Sequence, residues 1–101
     1  MGRFRFRCIS VQNNLPLEAE VFLENRSRGF TPSIPGGWLE LNDASDGPVG
    51  WYAFLWNARV AKGVALGGDF EILVDENSRS IEMRESDFDL DQGNPPPAPR
   101  I

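Results

Sequence analysis

The sequence predicts an all-β domain: a small antiparallel β-sandwich or partly open barrel of about six or seven strands, followed by a proline-rich C-terminal tail. Three observations carry that expectation. Two segments near the N-terminus and two nearer the C-terminus alternate apolar and polar residues with a period of two. Clusters of Asn, Asp, Gly and Pro separate these runs and supply turns. The most apolar stretch, residues 51–56, is aromatic and follows a glycine, which favours a buried strand.

The first element runs from Arg3 to Val11. Phe4, Phe6 and Cys8 fall on one side and Arg3, Arg5 and Arg7 on the other, the pattern of a half-buried strand. Leu17, Ala19, Val21 and Leu23 alternate with Glu18, Glu20 and Glu24 in the same way. Asn13 and Asn14 lie between, and asparagine tolerates the positive φ of a two-residue hairpin turn. A hairpin centred there sets Phe4 opposite Leu23, Phe6 opposite Val21 and Cys8 opposite Ala19. On its other face Arg7 meets Glu20, Arg3 meets Glu24, and Arg5 lies over Phe22. Apolar meets apolar and plus meets minus, and a one-residue slip loses both matches.

The middle of the chain reads in shorter pieces. Residues 30–37 hold Pro32, Pro35, Gly36 and Gly37 and form a loop. Trp38, Leu39, Glu40 and Leu41 make a short strand, and residues 42–50 a turn-rich loop around Asp43, Asp46, Gly47 and Pro48. Residues 51–61 are expected to be a strand buried on both faces. The competing reading is a helix, because Trp51, Phe54, Leu55 and Ala58 share a helical stripe and Lys62 before Gly63 resembles a helix stop. Residues 64–66 form a further short strand before the Gly67-Gly68 turn. A second hairpin follows, centred on Asn77 and Ser78, and sets Val74 against Ile81, Ile72 against Met83, Glu71 against Arg84 and Glu76 against Arg79. Residues 1–91 are thus read as one β domain and residues 92–101, with four prolines among ten residues, as an extended tail.

Composition narrows the function. The 101 residues include no histidine and one cysteine. That removes the usual general base, the commonest metal ligand, a disulfide framework and a cysteine-cluster zinc site together. Cys8 alternates with Phe4 and Phe6, so it is expected to be a small buried hydrophobe rather than a nucleophile. Asp43 and Asp46 read as turn residues more than as a catalytic carboxylate pair. Residues 87–93 only partly match a calcium loop, since glycine falls one position late and Ala98 stands where a bidentate carboxylate is needed. Gly36-Gly37 and Gly67-Gly68 lack the Lys-Ser/Thr of a phosphate loop. No cofactor, no metal and no catalytic residue are expected.

The net charge of −5 disfavours nucleic acid as the partner. It is unevenly spread: residues 1–68 carry 7 basic and 6 acidic side chains, residues 69–91 carry 2 and 9. No stretch approaches a membrane span and no leader peptide is evident, so the cytoplasm is the expected compartment. What remains is binding. Trp38, Trp51, Tyr52, Phe54 and Trp56 crowd into nineteen residues, and an aromatic patch left at the surface marks a contact site. Asp87, Phe88, Asp89, Leu90 and Asp91 form an alternating acidic segment suited to an extended contact. Phe30, among loop prolines, is a further candidate anchor. The leading expectation is a non-enzymatic module that binds another protein or its own copies through these residues. The alternatives are a glycan- or lipid-binding module using Trp51, Tyr52 and Trp56, and an acidic inhibitor or immunity-type protein that masks a basic surface.

Overall fold

Alternating strands with one apolar face need a second apolar face to cover them, and the chain meets that need with two stacked sheets. A computed structural model describes residues 2–56, 58–78 and 80–85, the last stretch in its backbone alone. The acidic segment 86–91, the proline-rich residues 92–101 and the partner Arg79 expected for Glu76 lie outside the described residues. Among the described residues there are nine strands: β1 (Gly2–Ser10), β2 (Pro16–Leu17), β3 (Glu20–Leu23), β4 (Arg26–Phe30), β5 (Leu39–Asp43), β6 (Val49–Leu55), β7 (Ala58–Ala65), β8 (Gly68–Asp75) and β9 (Ser80–Glu85). The first sheet runs β2-β1-β8-β9, with β5 also paired to β1, and the second runs β4-β3-β6-β7. Each sheet keeps its own edges, so the fold is a sandwich and not a closed barrel. All pairings are antiparallel except β1 with β8, which is parallel.

The core forms where the two inner faces meet. Phe4, Phe6, Cys8, Phe70, Ile72 and Val74 come from the first sheet, and Val21, Leu23, Trp51, Ala53, Leu55, Val60 and Ala61 from the second. The Trp51 ring lies 5.0 Å from Phe6 and 5.0 Å from Phe70, joining the layers. Each fully buried large side chain of this kind contributes about 1.5–3 kcal/mol.

The predicted second hairpin forms in the expected register, with Val74 opposite Ile81, Ile72 opposite Met83 and Glu71 opposite Arg84. The first does not. The chain turns at residues 11–14, with Asn14 at φ 60°, but β1 pairs with β2 only at Cys8↔Leu17 and Ile9↔Pro16. It then crosses to the other sheet. Thr31 holds the crossing: its hydroxyl accepts from the Ala19 amide at 2.8 Å and donates to the Leu17 carbonyl at 2.6 Å, and its own amide donates to Ala19 at 2.8 Å. Val21 and Leu23 therefore face Phe4 and Phe6 across the sandwich instead of beside them in one sheet. The apolar alternation is satisfied equally by either arrangement, so it could not decide between them. The arginines accordingly meet β8: Arg5 Nε donates to Asp69 at 2.9 Å and Arg7 Nε to Glu71 at 2.8 Å.

Two other expectations change, and one strand forms where none is expected. Residues 51–61 are neither helix nor one strand buried on both faces. They fold as β6, a turn at Trp56 and the start of β7, with Trp51, Ala53 and Leu55 inward and Tyr52 and Phe54 outward. Residues 26–30, without a strong pattern, form β4, because Glu24 and Asn25 at φ 49° and 65° build a tight hairpin that delivers them to β3. Residues 64–66 are not a separate strand but the end of β7 and its exit.

Candidate functional site

The outer face of the second sheet gathers most of the aromatic residues that the core does not use. Paired residues in a sheet project to the same side, so the register defines two cross-sheet rows. One is Phe30, Glu20, Phe54 and Arg59; the other is Ser27, Phe22, Tyr52 and Lys62. Phe22 stacks on Tyr52 at 4.7 Å with the planes 15° apart, and Phe54 meets both rings edge-on at 5.6 and 5.5 Å. Phe30 at one margin and Trp56 at the β6–β7 tip stand out further, 56% and 53% exposed. A tryptophan at φ 55° sits in the left-handed region that bulky side chains avoid, at a cost of about 1–2 kcal/mol.

One end of this face deepens into a cleft of about 380 Å³ lined by Glu24, Gly50, Tyr52, Arg59, Lys62 and Val64 together with Asn25, Trp51 and Gly63. The Glu24 carboxylate accepts from the Gly50 amide at 2.8 Å and fixes the cleft wall. Arg59 and Lys62 have no acidic partner among the described residues. The cleft therefore offers a phenol and two cations beside an apolar wall.

The five aromatic residues singled out in the sequence divide three ways. Tyr52 and Phe54 share this face, and Trp56 stands exposed at the β6–β7 tip. Trp51 is a core residue, 2% exposed, and Trp38 lies on the opposite side of the molecule with the Arg5 and Arg7 guanidiniums 4.5 and 4.4 Å from its ring centre. Arg5 and Arg7 of the arginine stripe are thereby spent on Asp69, Glu71 and Trp38, while Arg3 stays exposed. Asp87, Phe88, Asp89, Leu90 and Asp91 lie outside the described residues. Sequence reasoning missed Phe22 as a member of the patch. Its signal was present, since Phe22 is an aromatic residue at a solvent-side position of an alternating strand. Phe30 was seen, but its place in β4 was not.

The remaining chemistry-bearing groups have structural partners. Asp43 accepts from the Ser45 amide at 3.0 Å and lies 3.9 Å from Arg28, closing a turn. Cys8 is buried, and burial pushes its thiol up to about 12. No group of three or more potential metal ligands occurs among the described residues, and no helix among them is long and apolar enough to cross a membrane. No protein-family model, curated protein or solved structure matches this chain, so the outer face of the second sheet is interpreted from its own geometry.

Proposed function

We propose that the chain is a non-enzymatic protein-interaction module that associates with its own copies or with another protein through the outer face of its second sheet. The observation that carries this reading is the half-buried aromatic cluster Phe22, Tyr52 and Phe54 on the outer face of the second sheet, with the more exposed Phe30 at its margin and Trp56 at the β6–β7 tip. Contact surfaces are enriched in such residues; here Arg59, Lys62 and Glu24 stand at the margin, and the acid within the rows, Glu20, accepts from the Ser27 hydroxyl at 2.6 Å.

The ring geometry favours a protein over a glycan. Sugars pack on an open aromatic face, whereas Phe22 and Tyr52 each spend one face on the other. Sedimentation velocity over a concentration series tests the reading with two half-exposed anchors, Phe30→Ser and Trp56→Ser, which leave the core intact. Wild-type association that the double variant loses is the expected result. Association equal in both proteins removes this face as the contact surface.

A further inference from the structure

Gly50 interrupts a face of large side chains. Val64 stands opposite it on β7, its carbonyl accepts from the Glu24 amide at 2.8 Å, and Tyr52 follows on the same side of β6. The gap over Gly50 is the cleft of about 380 Å³, the size of a small-ligand site. A β-bulge then arms its rim. Ala53 pairs with Ala61 but Phe54 with Arg59, so Val60 is an extra residue in β7. Val60 and Ala61 both turn into the core, 6% and 3% exposed, and Arg59 and Lys62 are both exposed on the outer side. On a regular strand these two positions would project to opposite sides; the bulge brings both cations to one side.

Neither cation has a structural partner. Arg5, Arg7 and Arg28 face carboxylates, whereas Arg59 and Lys62 make no hydrogen bond, ion pair or cation–π contact among the described residues. Beside them lies an aromatic ring. In the row Phe22, Tyr52 and Lys62, Tyr52 stacks on Phe22 at 4.7 Å with the planes 15° apart, so its other face turns toward Lys62 and the cleft. Val64, 72% exposed, is the apolar wall on the β7 side. Two unmatched cations beside an uncovered ring suit a planar group that carries negative charge. We propose that the cleft binds a small aromatic anion, a planar ring bearing a carboxylate or a phosphate, with the ring on Tyr52 and the acid group between Arg59 and Lys62. An acid without a ring forgoes the Tyr52 contact, and a ring without an acid leaves both cations unmatched. Glu24, tied to the Gly50 amide at 2.8 Å, lies on the opposite rim and turns the acid group toward β7. This site goes beyond the reading of the second sheet as a contact surface, since one chain alone completes it.

Amide chemical-shift titration of the dilute full-length chain tests it. The probes are benzoate and phenyl phosphate, with inorganic phosphate and phenol as controls that lack the ring or the charge. Saturable shifts clustered at Gly50, Tyr52, Arg59, Lys62 and Val64 are expected with at least one probe, at lower concentration than with either control. The tighter probe identifies the acid group. Arg59→Ala with Lys62→Ala should weaken binding about tenfold or more, since charge-assisted bonds to the acid group are lost. Gly50→Val should abolish binding by filling the cleft floor while both cations remain, and Arg26→Ala, at a cation outside the cleft, should leave it unchanged. Far-ultraviolet circular dichroism confirms that each variant is folded. No saturable binding of either probe, binding of a control as tight as that of the probes, or equal weakening by Arg26→Ala and by the Arg59/Lys62 change overturns the proposal. So does binding that the Arg59/Lys62 change leaves intact. The two readings fail separately: a chain that takes up the probe yet stays monomeric keeps the cleft and discards association with its own copies, and association without uptake does the reverse.

Discussion

Replacing Gly63 with alanine puts the packing of the two layers to a direct test. Gly63 lies opposite Trp51 in the β6–β7 ladder, and the absent side chain makes room for the indole. A methyl group there would stand 2.8 Å from Trp51 Nε1 and 3.0 Å from both Cε2 and Cζ2. The ring has little room to retreat, because Phe6 and Phe70 press on it from the other sheet with centroids 5.0 Å away. Overpacking of this kind costs about 1–3 kcal/mol, against which alanine recovers about 0.5–1 kcal/mol of the backbone entropy that glycine loses in a strand. The net expectation is a destabilisation of about 1–2 kcal/mol, or roughly 4–16 °C in Tm for a chain of this size. Urea unfolding followed by tryptophan fluorescence measures it, with circular dichroism as the second probe. The same substitution in a Trp51→Phe background should cost much less, because the smaller ring vacates the contact, giving a coupling of about 1 kcal/mol or more. A Gly63→Ala chain as stable as wild type, or an equal cost in both backgrounds, refutes the argument.

Three other outcomes follow from particular contacts. Burial pushes the Cys8 thiol up to about 12, so a disulfide reagent at pH 8 should leave it unmodified in the native chain. Labelling should instead track global unfolding as urea is added, and fast labelling without denaturant would place Cys8 outside the core. Asp75 accepts from the amides of Ser78 and Asn77 and from the Gln12 side chain, and these bonds hold its carboxyl below the usual value of 3.8. Because its folded pKa is lowered, its contribution is present above the unfolded value and is lost as pH falls below about 4. The urea midpoint of Asp75→Asn should accordingly fall less steeply than that of wild type between pH 5 and pH 2. Trp38→Ala removes the ring that both Arg5 and Arg7 cover and should cost about 1–2 kcal/mol, read from the thermal midpoint; an unchanged midpoint means that Trp38 contributes only a surface contact.

The sequence was most legible where a local signal and a tertiary requirement agreed. In β8 and β9 the alternation, the Asn77-Ser78 turn and the charge pairing all select one register, and the chain adopts it. The pattern of β1 and β3 correctly set Phe4, Phe6, Cys8, Val21 and Leu23 inside but could not say whether they face each other within a sheet or across the sandwich. Thr31 decides that through three hydrogen bonds to residues twelve and fourteen positions away, a relation that no local periodicity encodes. The Arg–Glu pairing read from residues 3–24 failed for the same reason, since acids with the right spacing also occur in β8. The aromatic run 51–56 was flagged as a surface candidate, yet which of its two faces emerges depends on which side the first sheet covers. Trp38 escaped correct placement because its neighbours, Arg5 and Arg7, lie more than thirty residues away.

The central claim is that the outer face of the second sheet is a contact surface. Amide chemical-shift mapping by ¹⁵N–¹H NMR, from dilute to concentrated protein, tests it residue by residue. The account predicts concentration-dependent shifts clustered at Glu20, Phe22, Phe30, Tyr52, Phe54, Trp56, Arg59 and Lys62, with Arg5, Arg7 and Trp38 on the opposite face unmoved. Shifts confined to that opposite face, or a spectrum that does not change with concentration, would contradict self-association through the second sheet.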